Sequence, residues 1–112
     1  MDQKHPSIKS VETAVADFVT HLKKQYQLPV SSVYLFGSYA RGYQRKGSDI
    51  DICVVSPLFA NEDSLSYLWT RRRLRDVENL IAPVGFSPEE FDSPTPSPLV
   101  HEIQRSGKKI TL

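Results

Sequence analysis

The chain of 112 residues is short of most features that would commit it to a specialised class. It has one cysteine, Cys53, so no internal disulfide can form. No N-terminal stretch has the basic, apolar and small-residue layout of a secretory signal, and a reducing, cytoplasmic setting is expected. Long apolar runs are missing as well, far short of the ~20 residues a membrane helix needs, so no span is expected. Charge of one sign is scarce: 14 basic against 13 acidic side chains leave +1, which excludes a strong whole-chain field for nucleic acid. With 39% apolar residues, disorder is excluded too. The length fits one domain over residues 1–112, because two would each be too small to bury an adequate core.

What is present is a readable order of elements. Ile8, Val11, Val15, Phe18 and Leu22 recur at three- and four-residue steps, predicting a helix from about Ser7 to Gln25. Leu28-Pro29 breaks it, and Ser32 to Phe36 is a short β-prone run ending at Gly37. A short helical turn and a basic loop follow from Ser38 to Gly47, then a second strand over Asp49 to Val55. Asn61 to Asn79 reads as helical, with Leu65, Leu68, Trp69, Leu74, Val77 and Ile81 as its apolar positions, and Trp69 is expected in the core. Leu80 to Phe86 makes a third strand, which Pro83 assigns to an edge or a local break, since proline donates no ladder hydrogen bond. The proline-rich stretch from Pro83 to Pro98 is expected to be a structured loop. Ser97-Pro98 opens a last helix that Gly107 closes, and Lys108 to Leu112 adds a small strand or a tail. The expected fold is a small α/β sandwich: one mixed sheet of three to four strands with helices packed against it.

The chemistry is concentrated in Gly37-Ser38-Tyr39-Ala40-Arg41-Gly42 and Ser48-Asp49-Ile50-Asp51-Ile52. Residues two apart on a strand share a face, so Asp49 and Asp51 project together. Adjacent carboxylates repel, and a divalent cation is the simplest remedy; hard oxygen ligands suit magnesium. Gly37 lets backbone approach a ligand closely, Ser38 offers a hydroxyl and free N–H groups, and Arg41, Arg45 or Lys46 can neutralise phosphate charge. A triphosphate fits such a turn. A purely structural reading, with a turn glycine and solvated aspartates, fits the combined pattern less well.

Gly37-Ser38, Arg41-Gly42 and Ser48-Asp49-Ile50-Asp51 resemble the signature of the DNA polymerase beta-like nucleotidyltransferase superfamily, and the short length resembles its minimal nucleotidyltransferase branch. The resemblance implies a nucleotidyltransferase that moves a nucleoside monophosphate, AMP from ATP, to a hydroxyl acceptor. It implies that Asp49 and Asp51 are catalytic and bind one or two Mg2+ ions, and that Gly37 with Ser38 holds the β- and γ-phosphates of ATP or another nucleoside triphosphate. It also implies a helical partner of the HEPN type, in a toxin and antitoxin pair; self-association stays open.

One departure bears on catalysis. The family usually places a third carboxylate on the next strand, where this chain has Ala82. Either Glu78, which shares the parity of Ala82, substitutes from an earlier strand start, or the acid is lost and the domain is a binding module acting through protein contact. Glu89, Glu90 and Asp92 lie too far along. Arg71, Arg72, Arg73 and Arg75 look like a nucleic-acid patch but read better as a solvated helix face without aromatic interleaving. Cys53 reads as a small core residue, and His5, His21 and His101 show no metal spacing.

Overall fold

The computed structural model describes residues 8–42, 49–69 and 80–111. Helix α1 spans Ile8–Tyr26, and the predicted apolar stripe becomes its buried side: Val11, Val15, Phe18 and Leu22 are fully enclosed, with Ala14 and Val19 beside them. The side chain of Ile8 lies outside the described set. Strand β1 spans Ser32–Phe36 and leads straight into the short helix α2, Gly37–Arg41. Strand β2 spans Ile50–Val55, so Asp49 stands just before the strand instead of opening it. Strand β3 covers Ile81–Phe86, helix α3 Pro88–Phe91, helix α4 Pro98–Ser106 and strand β4 Lys108–Lys109.

The four strands form one mixed sheet in the order β3-β2-β1-β4. Strand β1 is antiparallel to β2 and β4, and β2 is parallel to β3. Pro83 therefore lies on an edge strand among the described residues, as its missing N–H requires. Each face of the sheet has its own apolar cluster. On one face Val33, Leu35, Ile50, Ile52 and Val54 pack against α1. On the other, Phe36, Cys53 and Val55 pack against Phe91 of α3 and Val100 and Ile103 of α4. Burying a side chain of this size contributes roughly 1.5–3 kcal/mol, so both layers are needed to hold a central strand. Cys53 is fully buried, and that burial pushes its thiol up to about 12, which leaves it protonated and inert.

Three expectations change. The described part of the stretch read as a helix from Asn61 to Asn79 is 3₁₀, over Glu62–Trp69 and preceded by a further 3₁₀ turn at Pro57–Ala60, and residues 70–79 lie outside the described set. The cause is local. The Asn61 side chain accepts from the Asp63 N–H at 2.9 Å, and the Ser66 hydroxyl donates to the Asp63 carbonyl at 2.8 Å, competing with the longer α-helical spacing. Leu68 is buried as expected, but Trp69 is 60% exposed, because 3₁₀ spacing turns it about 120° from Leu65, four residues back, where an α-helix would leave about 40°. The proline-rich loop contains α3, started by a reciprocal capping box in which Ser87 and Glu90 satisfy one another's backbone N–H groups. Helix α4 begins where Ser97-Pro98 places it, with the Ser97 hydroxyl accepting from the Val100 N–H. No described helix is long and apolar enough to cross a membrane.

Candidate functional site

The site forms where β1 and β2 end side by side. Along β2, alternation sends Ile50 and Ile52 to the α1 face and Asp51 to the face covered by α3 and α4. The register sets Asp51 between Phe36 of β1 and Ala82 of β3. Immediately after Phe36 the chain turns at Gly37, with φ +72°, into α2. A Cβ at Gly37 would strike the Oδ2 atom of Asp51, so the glycine is required twice: by its left-handed backbone and by the carboxylate pressed against it. Gly42, φ +78°, closes α2 in the same left-handed region and donates its N–H to the Ser38 carbonyl. Between the two glycines, Tyr39 is buried in the α1-side core and anchors the turn. No side chain caps the start of α2, and Ser38 is half-buried beside it.

Electrostatics mark Asp51 as the strained member. Its pKa is raised, first by burial, then by the charge of the exposed Asp49, then by Glu102 of α4. A half-buried carboxylate facing two like charges is relieved by a cation. Two carboxylates are also the number that magnesium commonly takes, with water and substrate oxygens completing its shell. The residues present therefore fit a magnesium ion that Asp49 and Asp51 would hold and whose remaining positions water and phosphate oxygens would fill. Among the described residues no group of three His, Cys, Asp or Glu side chains forms a complete protein cage.

Gly37 and Asp51 thus lie against one another, Ser38 follows Gly37 in α2, and Asp49 lies near enough to Asp51 for its charge to act there. Arg41 ends α2 and lines a groove against α4. Lys46, Arg45 and Ser48 lie outside the described residues, as do Glu78 and Arg71, Arg72, Arg73 and Arg75. The register confirms that Ala82 occupies the position beside Asp51 where an acid was expected. Glu90 is committed to the capping box and stays out of the site. The residue that sequence reasoning missed is Glu102. Its signal was the polar side of α4, but only the packing of Val100 and Ile103 onto the Asp51-bearing face brings that helix to the site.

Comparison with known proteins agrees with this geometry. A family profile described as a nucleotidyltransferase domain matches residues 15–94. Two Methanocaldococcus jannaschii proteins are similar in sequence, both provisionally named protein adenylyltransferases. MJ0604 is 48% identical over 44 residues, 39% of this chain and 44% of that one. MJ1215 is 39% identical over 59 residues, 53% of this chain and 64% of that one. The matches thus span about half the length of these curated relatives. Among solved structures, a Sulfolobus solfataricus protein provisionally named a nucleotidyltransferase superposes with a TM-score of 0.60 at 20% identity, covering 88% of this chain and 78% of that one. A toxin–antitoxin structure with AMP-PNP gives a TM-score of 0.54 at 22% identity, covering 89% and 72%. These likenesses establish a shared fold. With the profile covering most of the chain and the paired aspartates set behind a glycine-serine turn, the chain belongs to the nucleotidyltransferase domain family.

Proposed function

We propose that the chain is a magnesium-dependent nucleotidyltransferase that moves AMP from ATP to a hydroxyl acceptor. The observation that carries this is the contact between Gly37 and the Asp51 carboxylate, which sets the phosphate turn directly against the paired aspartates. Asp49 and Asp51 hold the metal, and Gly37 and Ser38 border the β- and γ-phosphates. Magnesium, when bound, neutralises charge on the attacking and leaving oxygens of an in-line displacement. The chain's own part is positioning. Phe36 walls one side of Asp51, Gly37 admits the phosphates to within reach of it, and Arg41 with Lys46 offsets their charge. In the transfer, a bond forms between the acceptor oxygen and the α-phosphorus, the bond to the β-phosphate bridging oxygen breaks, and the acceptor proton leaves for solvent or a site carboxylate.

The acceptor hydroxyl belongs to a protein partner in a toxin–antitoxin pair, which the family resemblance of the sequence makes a helical protein of the HEPN type. Support comes from the names of the M. jannaschii relatives and from the similar fold in a toxin–antitoxin complex. A second reading, a nucleotidyltransferase-fold binding module without turnover that acts through protein contact, rests on Ala82 beside Asp51.

Magnesium and ATP should raise the melting temperature, with about 2.7 kcal/mol of stabilisation at a hundredfold excess over the dissociation constant. The double change Asp49→Asn, Asp51→Asn should abolish the shift; persistence of the shift would refute the site. Transfer of labelled nucleotide to the co-purified partner, lost in the double variant, separates turnover from binding alone.

A further inference from the structure

Arg41 at the end of α2 and Pro98, His101, Glu102, Arg105 and Ser106 of α4 line a groove of about 380 Å³. Residues 98, 101, 102, 105 and 106 recur at helical steps and form one outward side of α4, opposite the buried Val100 and Ile103. The chain as a whole is nearly balanced in charge, yet here two arginines and a histidine face one glutamate. The wall is rigid, because Val100 and Ile103 are locked into the core and Ser97 caps the helix start.

The groove's position gives it meaning. It adjoins α2, whose first residue touches Asp51, and the Glu102 charge is felt at Asp51. Another basic cavity among the described residues holds Lys23 and Lys109, but it lies by Ser31 to Val33, at the end of β1 away from Phe36 and the aspartates. The cavity between Phe59, Leu65 and Phe86 is rimmed by Glu62, Glu89 and Glu90 and repels anions. Only the α2–α4 groove, among the described cavities, joins positive charge to the paired aspartates.

We propose that this groove is an oxyanion subsite in which Arg105, His101 and Arg41 hold a phosphoryl group next to the transfer site. Arginine presents a planar fork to phosphate oxygens, and an imidazole N–H adds a third donor. The subsite deepens the nucleotidyltransferase reading and rests on it for its purpose. The phosphoryl group is either one that the acceptor protein carries beside its reacting hydroxyl or the nucleotide's own terminal phosphate.

The test follows the His101 ring by NMR in the full chain while inorganic phosphate is added, first without nucleotide and then with magnesium and a saturating non-hydrolysable ATP analogue. A saturable shift in the nucleotide-free chain is expected, and Arg105→Ala should weaken it by about tenfold, the scale of one lost charge-assisted hydrogen bond. A Lys23→Ala, Lys109→Ala control at the far cavity should leave it unchanged. If phosphate still binds in the presence of the analogue, the subsite serves the acceptor; if the analogue displaces it, the subsite serves the nucleotide. No saturable shift in the nucleotide-free chain, or one indifferent to Arg105→Ala, overturns the proposal. Thermal stabilisation by magnesium and ATP in the same samples judges the transferase reading separately.

Discussion

The two faces of β2 are built from one six-residue strand and do different work. Toward α1 the strand presents Ile50, Ile52 and Val54, each fully buried among aliphatic and aromatic neighbours. Toward α3 and α4 it presents Asp51, Cys53 and Val55, where the first position is a carboxylate with a raised pKa and the next two are core. The apolar face gains stability at every position. The other face gives up one position at the strand's end to a charge that the folded apo chain holds at a cost. The lesson is that the site is a local exception cut into a buried layer, held in place by the complete layer behind it.

Three changes should sharpen or break this contrast. The largest effect belongs to the complete layer: Phe18→Ala should cost about 3–5 kcal/mol in urea unfolding, since a large aromatic leaves a cavity in a closed cluster. Nucleotide binding per folded molecule should be unchanged. A loss well below 1 kcal/mol would mean that α1 is not the support assumed here. Next comes Gly37→Ala at the boundary. Positive φ and the collision with the Asp51 carboxylate should together cost about 1–3 kcal/mol and remove thermal stabilisation by magnesium and ATP. Full retention of the ligand shift would dissociate the glycine from the site.

The smallest effect has the opposite sign. A carboxylate whose folded pKa is raised binds protons more tightly folded than unfolded, so stability falls as pH rises from the unfolded value through the folded one. Above that window the full penalty is present. Asp51→Asn should therefore stabilise the metal-free chain at neutral pH, and the gain should fade as pH falls below the window. Denaturant midpoints measured across pH check this; a variant less stable than the parent at neutral pH would show that Asp51 has a favourable partner.

Much of this was legible before folding because local chemistry fixed it. Strand β1 is bounded by Pro29 and Gly37, α4 by Ser97-Pro98 and Gly107, and each signal acts within a few residues of its own position. Of the two readings of Pro83, an edge or a local break, the edge holds among the described residues. The 3₁₀ turns escaped notice because apolar spacing suggests an α-helix, while the deciding bonds come from Asn61 and Ser66 side chains. Trp69 was misplaced for the same reason, and α3 was hidden by the prolines that surround its capping box.

The sequence by itself determined the glycine-serine turn, the side of β2 that carries Asp51, and the lack of an acid at Ala82, since strand alternation and glycine's backbone freedom need no partner elsewhere. Only the tertiary structure decided that Gly37 lies against Asp51, that Ala82 stands beside it, and that α4 brings Glu102, His101 and Arg105 to the same end of the sheet. Those are relations between segments far apart in the chain, such as α2 and α4, and they follow from which apolar sides pack together.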